Sequence, residues 1–356
     1  MKLKVIQIID SLNVGGAEVL AVNIANSLIV KGIESHLCVT RKEGYLNKLI
    51  TQEVGYIHLK RSKTIDIKAI RKLSNYIKKN DISIVHAHST SYFVAICVKI
   101  FIPSIKIIWH DHYGKSEFLK NTSRMPIQML SFMFSSVIVV NSKLLNWSKK
   151  HLAVKKVFFL RNFPLFIDLK KTTYMQGVKG KRIVHVAGFR EQKDHINLLQ
   201  AFLIVLKYQP EYTLHFIGKN YEGSYFESVK NFINDKNLSN NVFIYGICSD
   251  IKHILEQSSI GVLSSKSEGL PISLLEYGLA KLPVVITDVG ECADVVKNKE
   301  CIVTAKNSDK LASAILLLIN DKNLKTKVAL DLHNEVLINY SKEVVINLLI
   351  KMYNNQ

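Results

Sequence analysis

The chain has 356 residues, 48% of them hydrophobic and 22% charged, which excludes a disordered, collagen-like or low-complexity chain and suits two domains that each bury a core. It carries 48 Lys and Arg against 29 Asp and Glu, a formal charge of +19, and the excess is uneven: residues 1–175 hold 27 basic and 10 acidic residues, residues 176–356 hold 21 and 19. A positive N-terminal half implies an anionic partner there, whether a membrane surface, a polyanionic substrate or nucleic acid.

Short β-branched runs alternate with longer helical patterns. In the first half, strands are predicted over 4–9, 35–40, 56–60, 82–86, 106–110, 137–140 and 156–160, and helices start near Gly16, Ile65, Ser91, Met125 and Ser142. Strands apolar on both faces, separated by helices, read as βαβ units around a parallel sheet. Residues 162–181, with Pro164, Gly177, Gly180 and four lysines, lack a clear period and read as a linker. The second half then repeats the logic. Strands are predicted over 182–187, 213–217, 242–245, 260–263, 284–286 and 302–303, and helices over 195–208, 225–235, 251–257, 271–280 and 308–318. The expectation is an α/β protein of two facing Rossmann-like domains with parallel sheets and a cleft between them. Ligands of such sheets bind beyond the carboxyl ends of the strands.

The cysteines, Cys38, Cys97, Cys248, Cys292 and Cys301, are odd in number, far apart and form no C-x-x-C pair. That pattern argues against a disulfide framework or a cysteine-built zinc site and fits a reducing compartment. The first residues carry no secretory pattern, and no stretch reaches the ~18 apolar residues of a spanning helix. Residues 94–105 come nearest, interrupted by Lys99 and Pro103.

Four constellations follow predicted strands. Asn13-Val14-Gly15-Gly16-Ala17-Glu18 places a glycine pair where a helix begins. It reads either as a tight turn or as a close backbone approach to an anion; it is not a G-x-G-x-x-G fingerprint. His86-Ala87-His88 and His110-Asp111-His112 set four histidines near one sheet edge. They invite a zinc reading, which the lack of a cysteine or H-E-x-x-H pattern disfavours, so no metal site is expected. Polar contact with a sugar or phosphate fits better, with His86 read as a core histidine. In Gly188-Phe189-Arg190-Glu191-Gln192-Lys193-Asp194, two cations on a loop that opens a helix can neutralise a diphosphate. The sharpest is Ser267-Glu268-Gly269-Leu270-Pro271-Ile272-Ser273-Leu274-Leu275-Glu276. Glu268 lies before a helix and Glu276 about one and a half turns along it. A lone carboxylate in so apolar a helix is costly to bury, and a ribose diol is its natural partner.

This paired-glutamate segment resembles the signature of retaining glycosyltransferases of the GT-B fold, in particular glycosyltransferase family 4. The Gly15-Gly16-Ala17-Glu18 turn, the block from Asp81 to His88, His110-Asp111, Val139-Val140-Asn141-Ser142, Arg161-Asn162 and the segment from Gly188 to Lys193 match blocks of that family in the same order. The resemblance implies a catalytic set of His110, Arg190, Lys193 and Glu268. His110 would touch the transferred sugar, Arg190 and Lys193 would hold the donor diphosphate, and Glu268 would contact hydroxyls of the donor sugar. It implies donor binding by Gly15, Gly16, Gly246, Gly269, Leu270 and Glu276 as well, with Glu276 on the ribose and the strand end at Tyr245-Gly246 near the base. The implied domains are an acceptor-binding 1–163, a linker 164–181, a nucleotide-sugar-binding 182–338, and a last helix in 339–356 that packs back on the first domain. One departure is the loop after the strand at 284–286, where a glycine pair is common: it reads Gly290-Glu291, with Asp294 in place of the usual glutamate.

The function this implies is transfer of a sugar, with retention, from a nucleotide sugar to a hydroxyl of a glycan or polyprenyl-lipid-linked acceptor in surface polysaccharide synthesis. A UDP-sugar is preferred as the commoner donor of the family. No cofactor and no metal is expected, and no nucleic acid partner. The protein is expected in the cytoplasm, with peripheral contact on the cytoplasmic, anionic face of the membrane. Two basic stretches suit that contact: 60–79, with Ile67, Ile70, Leu73 and Ile77 at helical spacing, and 115–133, which mixes cations with Phe118, Leu119, Met129 and Phe132. For 60–79 the periodicity by itself fits a helix packed on the sheet with a solvated charged face. The rivals are a sugar-nucleotide epimerase of the same architecture and a basic nucleic-acid-binding protein, though no recognition module is present for the latter.

Overall fold

The computed structural model describes residues 3–13, 15–113, 124–161, 163–164, 170–221 and 223–356. Val14, Asn162 and the predicted membrane-facing residues Lys115, Phe118 and Leu119 lie outside the described residues. The chain forms two compact units: residues 1–162 with 343–356, and residues 163–342.

The first unit contains β1 (Lys4–Ser11), α1 (Gly16–Val30), β2 (Glu34–Lys42), β3 (Gly55–His58), α2 (Ile67–Lys79), β4 (Ile84–His88), α3 (Tyr92–Phe101), β5 (Lys106–Asp111), α4 (Met125–Leu130), β6 (Ser136–Val139), α5 (Ser142–His151) and β7 (Val157–Phe159). Its seven strands are parallel, in the order β3-β2-β1-β4-β5-β6-β7. The apolar strand runs are buried on both faces because helices cover both. In α2, Ala69, Ile70, Leu73 and Ile77 enter the core while Ile67, in the first turn, stays exposed, so the 60–79 stretch packs on the sheet through three of its four periodic positions. Its Asp66 caps the first turn by accepting from the Ala69 amide at 3.1 Å.

The second unit contains β8 (Arg182–Val186), α6 (His195–Tyr208), β9 (Thr213–Ile217), α7 (Ser224–Asp235), β10 (Val242–Gly246), α8 (Ile251–Glu256), β11 (Ile260–Leu263), α9 (Ile272–Leu279), β12 (Val284–Thr287), α10 (Cys292–Val295), β13 (Ile302–Val303), α11 (Ser308–Asn320) and α12 (Lys322–Asn339). Its parallel sheet runs β10-β9-β8-β11-β12-β13. The last helix, α13 (Lys342–Asn354), belongs to the first unit and buries Val345, Ile346, Leu349 and Tyr353.

Two features differ from the sequence pattern. Helix α12, 18 residues long, lies where no element was predicted. Its buried stripe is only Val328, Ala329, Leu332 and Val336, and exposed Leu330 and Leu337 blur the period. The described part of the stretch read as a linker packs on the second unit. The Asp250 carboxylate accepts from the Thr172 and Thr173 amides, each at 2.8 Å, and Met175 donates to the Gln257 side chain at 3.0 Å. Burial works to raise the Asp250 pKa, but these hydrogen bonds prevail and hold it at about 2. Among the described residues no helix is long and apolar enough to cross a membrane.

Candidate functional site

In the second unit the site is assembled where β8, β11 and β12, neighbours in the sheet, run out at their carboxyl ends. The loop after β8 carries Arg190 and Lys193; the loop after β11 carries Glu268, Gly269 and Leu270. These loops meet directly. Lys193 Nζ lies 2.5 Å from Glu268 Oε1, which also accepts from the Ser265 hydroxyl at 2.6 Å. Ser264 donates to the Lys193 carbonyl at 3.0 Å, and the Lys266 amide donates to Gln192 at 2.8 Å. Two motifs 75 residues apart in sequence therefore share one ion pair. Both side chains are largely buried, at 18% and 6% exposure for Lys193 and Glu268.

Arg190 is separate from this pair. Its guanidinium lies 4.2 Å from the centre of the Tyr221 ring and donates to the Tyr221 hydroxyl. It is exposed, and Tyr221 holds it with no ion pair to its charge among the described residues. Leu270 is buried in the core of the unit rather than open. Gly246 ends β10 at φ +69°, after a break in register between Ile244 and Gly246, and its carbonyl accepts from Gly218. A cavity of about 410 Å³ beside it is lined by Thr173, Tyr174, Tyr245, Ile247 and Ser249.

Glu276 is the fifth residue of α9. Its carboxylate has no hydrogen bond or ion pair among the described residues, and burial raises its pKa to about 7. The adjacent Tyr277 fixes the helix against the sheet: the Val186 amide at the end of β8 donates to its hydroxyl at 2.8 Å. That anchor was not legible in sequence, where Tyr277 is one more apolar helix residue.

The Gly290-Glu291 departure has a structural role. Gly290 adopts φ +59°, and a Cβ there would overlap the Glu268 and Gly269 carbonyl oxygens; the Glu291 amide donates to Gly269 at 2.9 Å. The loop is thus clasped to the glutamate segment. Gly290→Ala should cost at least about 2 kcal/mol from the left-handed backbone and the overlap together, read as a lower urea midpoint at unchanged slope. An unchanged midpoint would mean that the clasp is not what the contacts suggest.

In the first unit, Gly15 and Gly16 open α1. Gly15 is extended at φ −161°, with the Glu18 carboxylate where a Cβ would stand, and a Cβ on Gly16 would meet nothing within 4 Å. The pair is not required by a left-handed turn, so the close-approach reading keeps Gly16 as its candidate. The four histidines are pulled inward. His86 and His88 lie on β4 and His110 on β5, with His88 and His110 directly paired across the strands. His86 Nδ1 is 2.6 Å from the Tyr353 hydroxyl, His86 Nε2 is 3.1 Å from His110 Nδ1, His88 Nδ1 is 3.0 Å from His112 Nε2, and His88 Nε2 is 2.9 Å from Gln7 Oε1. Burial lowers the pKa of all four, of His86 and His112 to about 3. One nitrogen each of His86, His88 and His110 lie within 4.8 Å of one another, which makes them a candidate metal cluster by distance. Beside His112, a cavity of about 370 Å³ is lined by Ser89, Trp109, Tyr113 and Arg124. Arg124 forms a buried ion pair with Asp111 and stacks 4.1 Å from the Trp147 ring. Burial raises the Asp111 pKa, and Arg124 opposes that rise. Gln7 and Tyr353 were missed from sequence, since nothing local marks a strand glutamine or the last helix's tyrosine as partners of β4.

Comparison with known proteins bears on both units. Residues 14–162 match the family described as Glycosyltransferase Family 4, and residues 173–331 match Glycosyl transferases group 1. The chain is 22% identical over 254 residues to a poly(ribitol-phosphate) alpha-N-acetylglucosaminyltransferase of Staphylococcus aureus, a match over 70% of this chain and 50% of that protein. The chain thus spans about half the length of that relative. It is also 22% identical over 283 residues to a UDP-Gal:alpha-D-GlcNAc-diphosphoundecaprenol alpha-1,3-galactosyltransferase of Escherichia coli, over 73% of this chain and 72% of that one. Among solved structures, Anabaena HepE in complex with UDP and glucose superposes with a TM-score of 0.83 at 16% identity, covering 99% of this chain and all of that one. TarM superposes with a TM-score of 0.79 at 15% identity, covering 99% of each. Relatives of this kind are glycosyltransferases of bacterial polysaccharide synthesis, and they do not favour the epimerase or nucleic-acid readings.

Proposed function

The chain belongs to glycosyltransferase family 4, of the GT-B fold, and from that membership we propose that it is a retaining glycosyltransferase using a nucleotide sugar, with UDP-sugar the preferred donor. The sugar goes to a hydroxyl of a glycan or polyprenyl-linked acceptor in surface polysaccharide synthesis. The observation that carries the reading is the Lys193–Glu268 contact, which joins the two motifs assigned to the donor. Arg190 and Lys193 take the diphosphate, Glu276 accepts both ribose hydroxyls, and Glu268, Gly269 and Leu270 border the sugar. Negative charge develops on the leaving diphosphate, and Arg190, Lys193 and the amides opening α6 oppose it. Those charges make a metal unnecessary, so activity should persist in EDTA. The acceptor hydroxyl attacks the face the diphosphate leaves, and a departing phosphate oxygen takes its proton. Peripheral membrane contact is part of the proposal: Met125, Met129 and Phe132 are exposed on and next to α4, in the half of the chain that carries most of the positive charge.

The test is thermal stability against UDP, GDP and ADP. UDP at 100 times its Kd should stabilise by about 2.7 kcal/mol, and Arg190→Ala or Glu276→Ala should abolish the shift. No shift with any nucleoside diphosphate would sink the donor site.

The raised pKa of Glu276 adds a pH signature. The ionised carboxylate accepts from both ribose hydroxyls far better than the protonated acid, so UDP affinity should fall as pH drops below about 7. Glu276→Gln should remove that dependence while leaving whatever the phosphate contributes. An acid with a raised folded pKa weakens the fold as pH rises past it. The ligand-free Gln variant should therefore melt higher than wild type at pH 8 even as it binds UDP less well. Equal pH profiles for UDP in the two proteins would remove Glu276 from the ribose.

A further inference from the structure

The four histidines, Gln7 and Tyr353 form one chain in which each interior member donates one hydrogen bond and accepts one. Its direction follows from which atoms can donate. Gln7 Nε2, 3.2 Å from Tyr353 Oη, belongs to an amide NH2 and can only donate. Tyr353 Oη lies 2.6 Å from His86 Nδ1, the acceptor left for its own proton among the described residues. Tyr353 therefore accepts from Gln7 and donates to His86. With Nδ1 of His86 accepting, the proton of its neutral ring sits on Nε2 and is donated to His110 Nδ1 at 3.1 Å. The His110 proton is then on Nε2, a buried atom with no hydrogen-bond partner among the described residues. On the other side His112 Nε2 donates to His88 Nδ1, and His88 Nε2 donates to Gln7 Oε1. These protonation sites are assigned from the partners of each ring.

We propose that Gln7, Tyr353 and His86 are positioning residues that lock His110 in the neutral tautomer with its proton on Nε2, so that His110 meets the transferred sugar as a hydrogen-bond donor and not as a base. This rests on the reading of His110 as the group that touches that sugar. The chain runs from β1 through the last helix to β4 and β5, and so makes α13 part of the site. The orphaned Nε2 proton is what a ligand oxygen would satisfy: a buried donor left unpaired is costly, and a sugar hydroxyl oxygen is an acceptor of the right kind. Burial disfavours the charged form of every ring.

The experiment is long-range ¹H–¹⁵N NMR on histidine-labelled full-length protein without ligand. Wild type should show His110 as a single tautomer protonated on Nε2. Tyr353→Phe removes the donor to His86 and should give averaged His110 ring shifts, with kcat about tenfold lower and donor KM within about twofold. Gln7→Met is the second variant, should the first fold poorly, and should do the same. A merely structural role would lower stability without moving the His110 nitrogens. The proposal is overturned if wild-type His110 carries its proton on Nδ1, or if both variants keep the wild-type shifts. It is also overturned if one equivalent of Zn²⁺ shifts His86, His88 and His110 together, since the cluster would then be a metal centre. If UDP fails to stabilise wild type, the donor reading fails, while the tautomer result still judges the chain.

Discussion

Lys193→Ala is expected to lower kcat/KM by about 10²–10³. Two losses combine. The first is a cation aimed at the charge that develops on the leaving diphosphate. The second is the counter-ion of Glu268, whose side chain is only 6% exposed and whose nearest remaining donor is the Ser265 hydroxyl. Removing one partner from so buried a pair leaves an uncompensated carboxylate, at a cost to stability of about 3 kcal/mol. That bare carboxylate would also repel an anionic donor. The two losses can be separated. In Lys193→Ala/Glu268→Gln the buried charge is gone, so stability should largely return, while UDP binding and turnover stay low because the cation on the diphosphate is still missing. Melting curves with and without UDP, together with donor turnover, give the double-mutant coupling. Additive effects on stability would mean that the contact between the loops is not an energetic one.

The second large effect is acid sensitivity. Burial lowers the pKa of His86, His88, His110 and His112 in the first unit and of His185, His195 and His215 in the second, with His185 held to about 4 and His215 to about 3. For a base whose folded pKa is depressed, the unfolded chain binds the proton first. Stability is therefore full above the unfolded value of about 6.5 and is lost as pH falls from there toward the folded values. At pH 5.5 each such histidine weakens the fold by about 1.4 kcal/mol. Four of them in one unit approach the whole stability of an ordinary domain, about 5–15 kcal/mol. Glu276 works the other way, since its raised pKa gains a proton in the folded state as pH drops through about 7. It offsets only one of the seven. The measurement is the urea midpoint between pH 7.5 and 5, expected to fall steeply below 6.5. His215→Gln should remove about one proton from the slope. A flat profile over that range would mean that these rings are hydrated when folded.

Much of this site could be read before any fold was in hand. Lys193 and Glu268 were both singled out because a charged loop after a strand, at a helix start, needs a reason to be there. Glu276 stood out as an acid in an apolar helix, and it proves to lack a partner among the described residues. Leu270, whose backbone is expected beside the donor, packs its side chain in the core and leaves its backbone for that part. Helix α12 was lost because exposed leucines mask its narrow buried stripe. The stretch read as a linker looked irregular because its backbone is satisfied by Asp250 and Gln257 side chains, not by a regular ladder.

What the sequence determined by itself was local: strand runs buried on both faces, helix starts at capping residues, and loops with charges out of place. These follow from periods of 2 and 3.6 residues and from turn chemistry, which act over a few positions. What only the tertiary structure decided was which of those pieces meet. The strand order β8-β11-β12 brings the Lys193 loop to the Glu268 loop, and the return of α13 brings Tyr353 within 2.6 Å of His86, 267 residues away. No local pattern carries such contacts, because they depend on how crossovers stack strands and where the chain returns. That is why His86, His88 and His112, whose roles the sequence leaves open, join in the fold one directed chain of hydrogen bonds ending at His110.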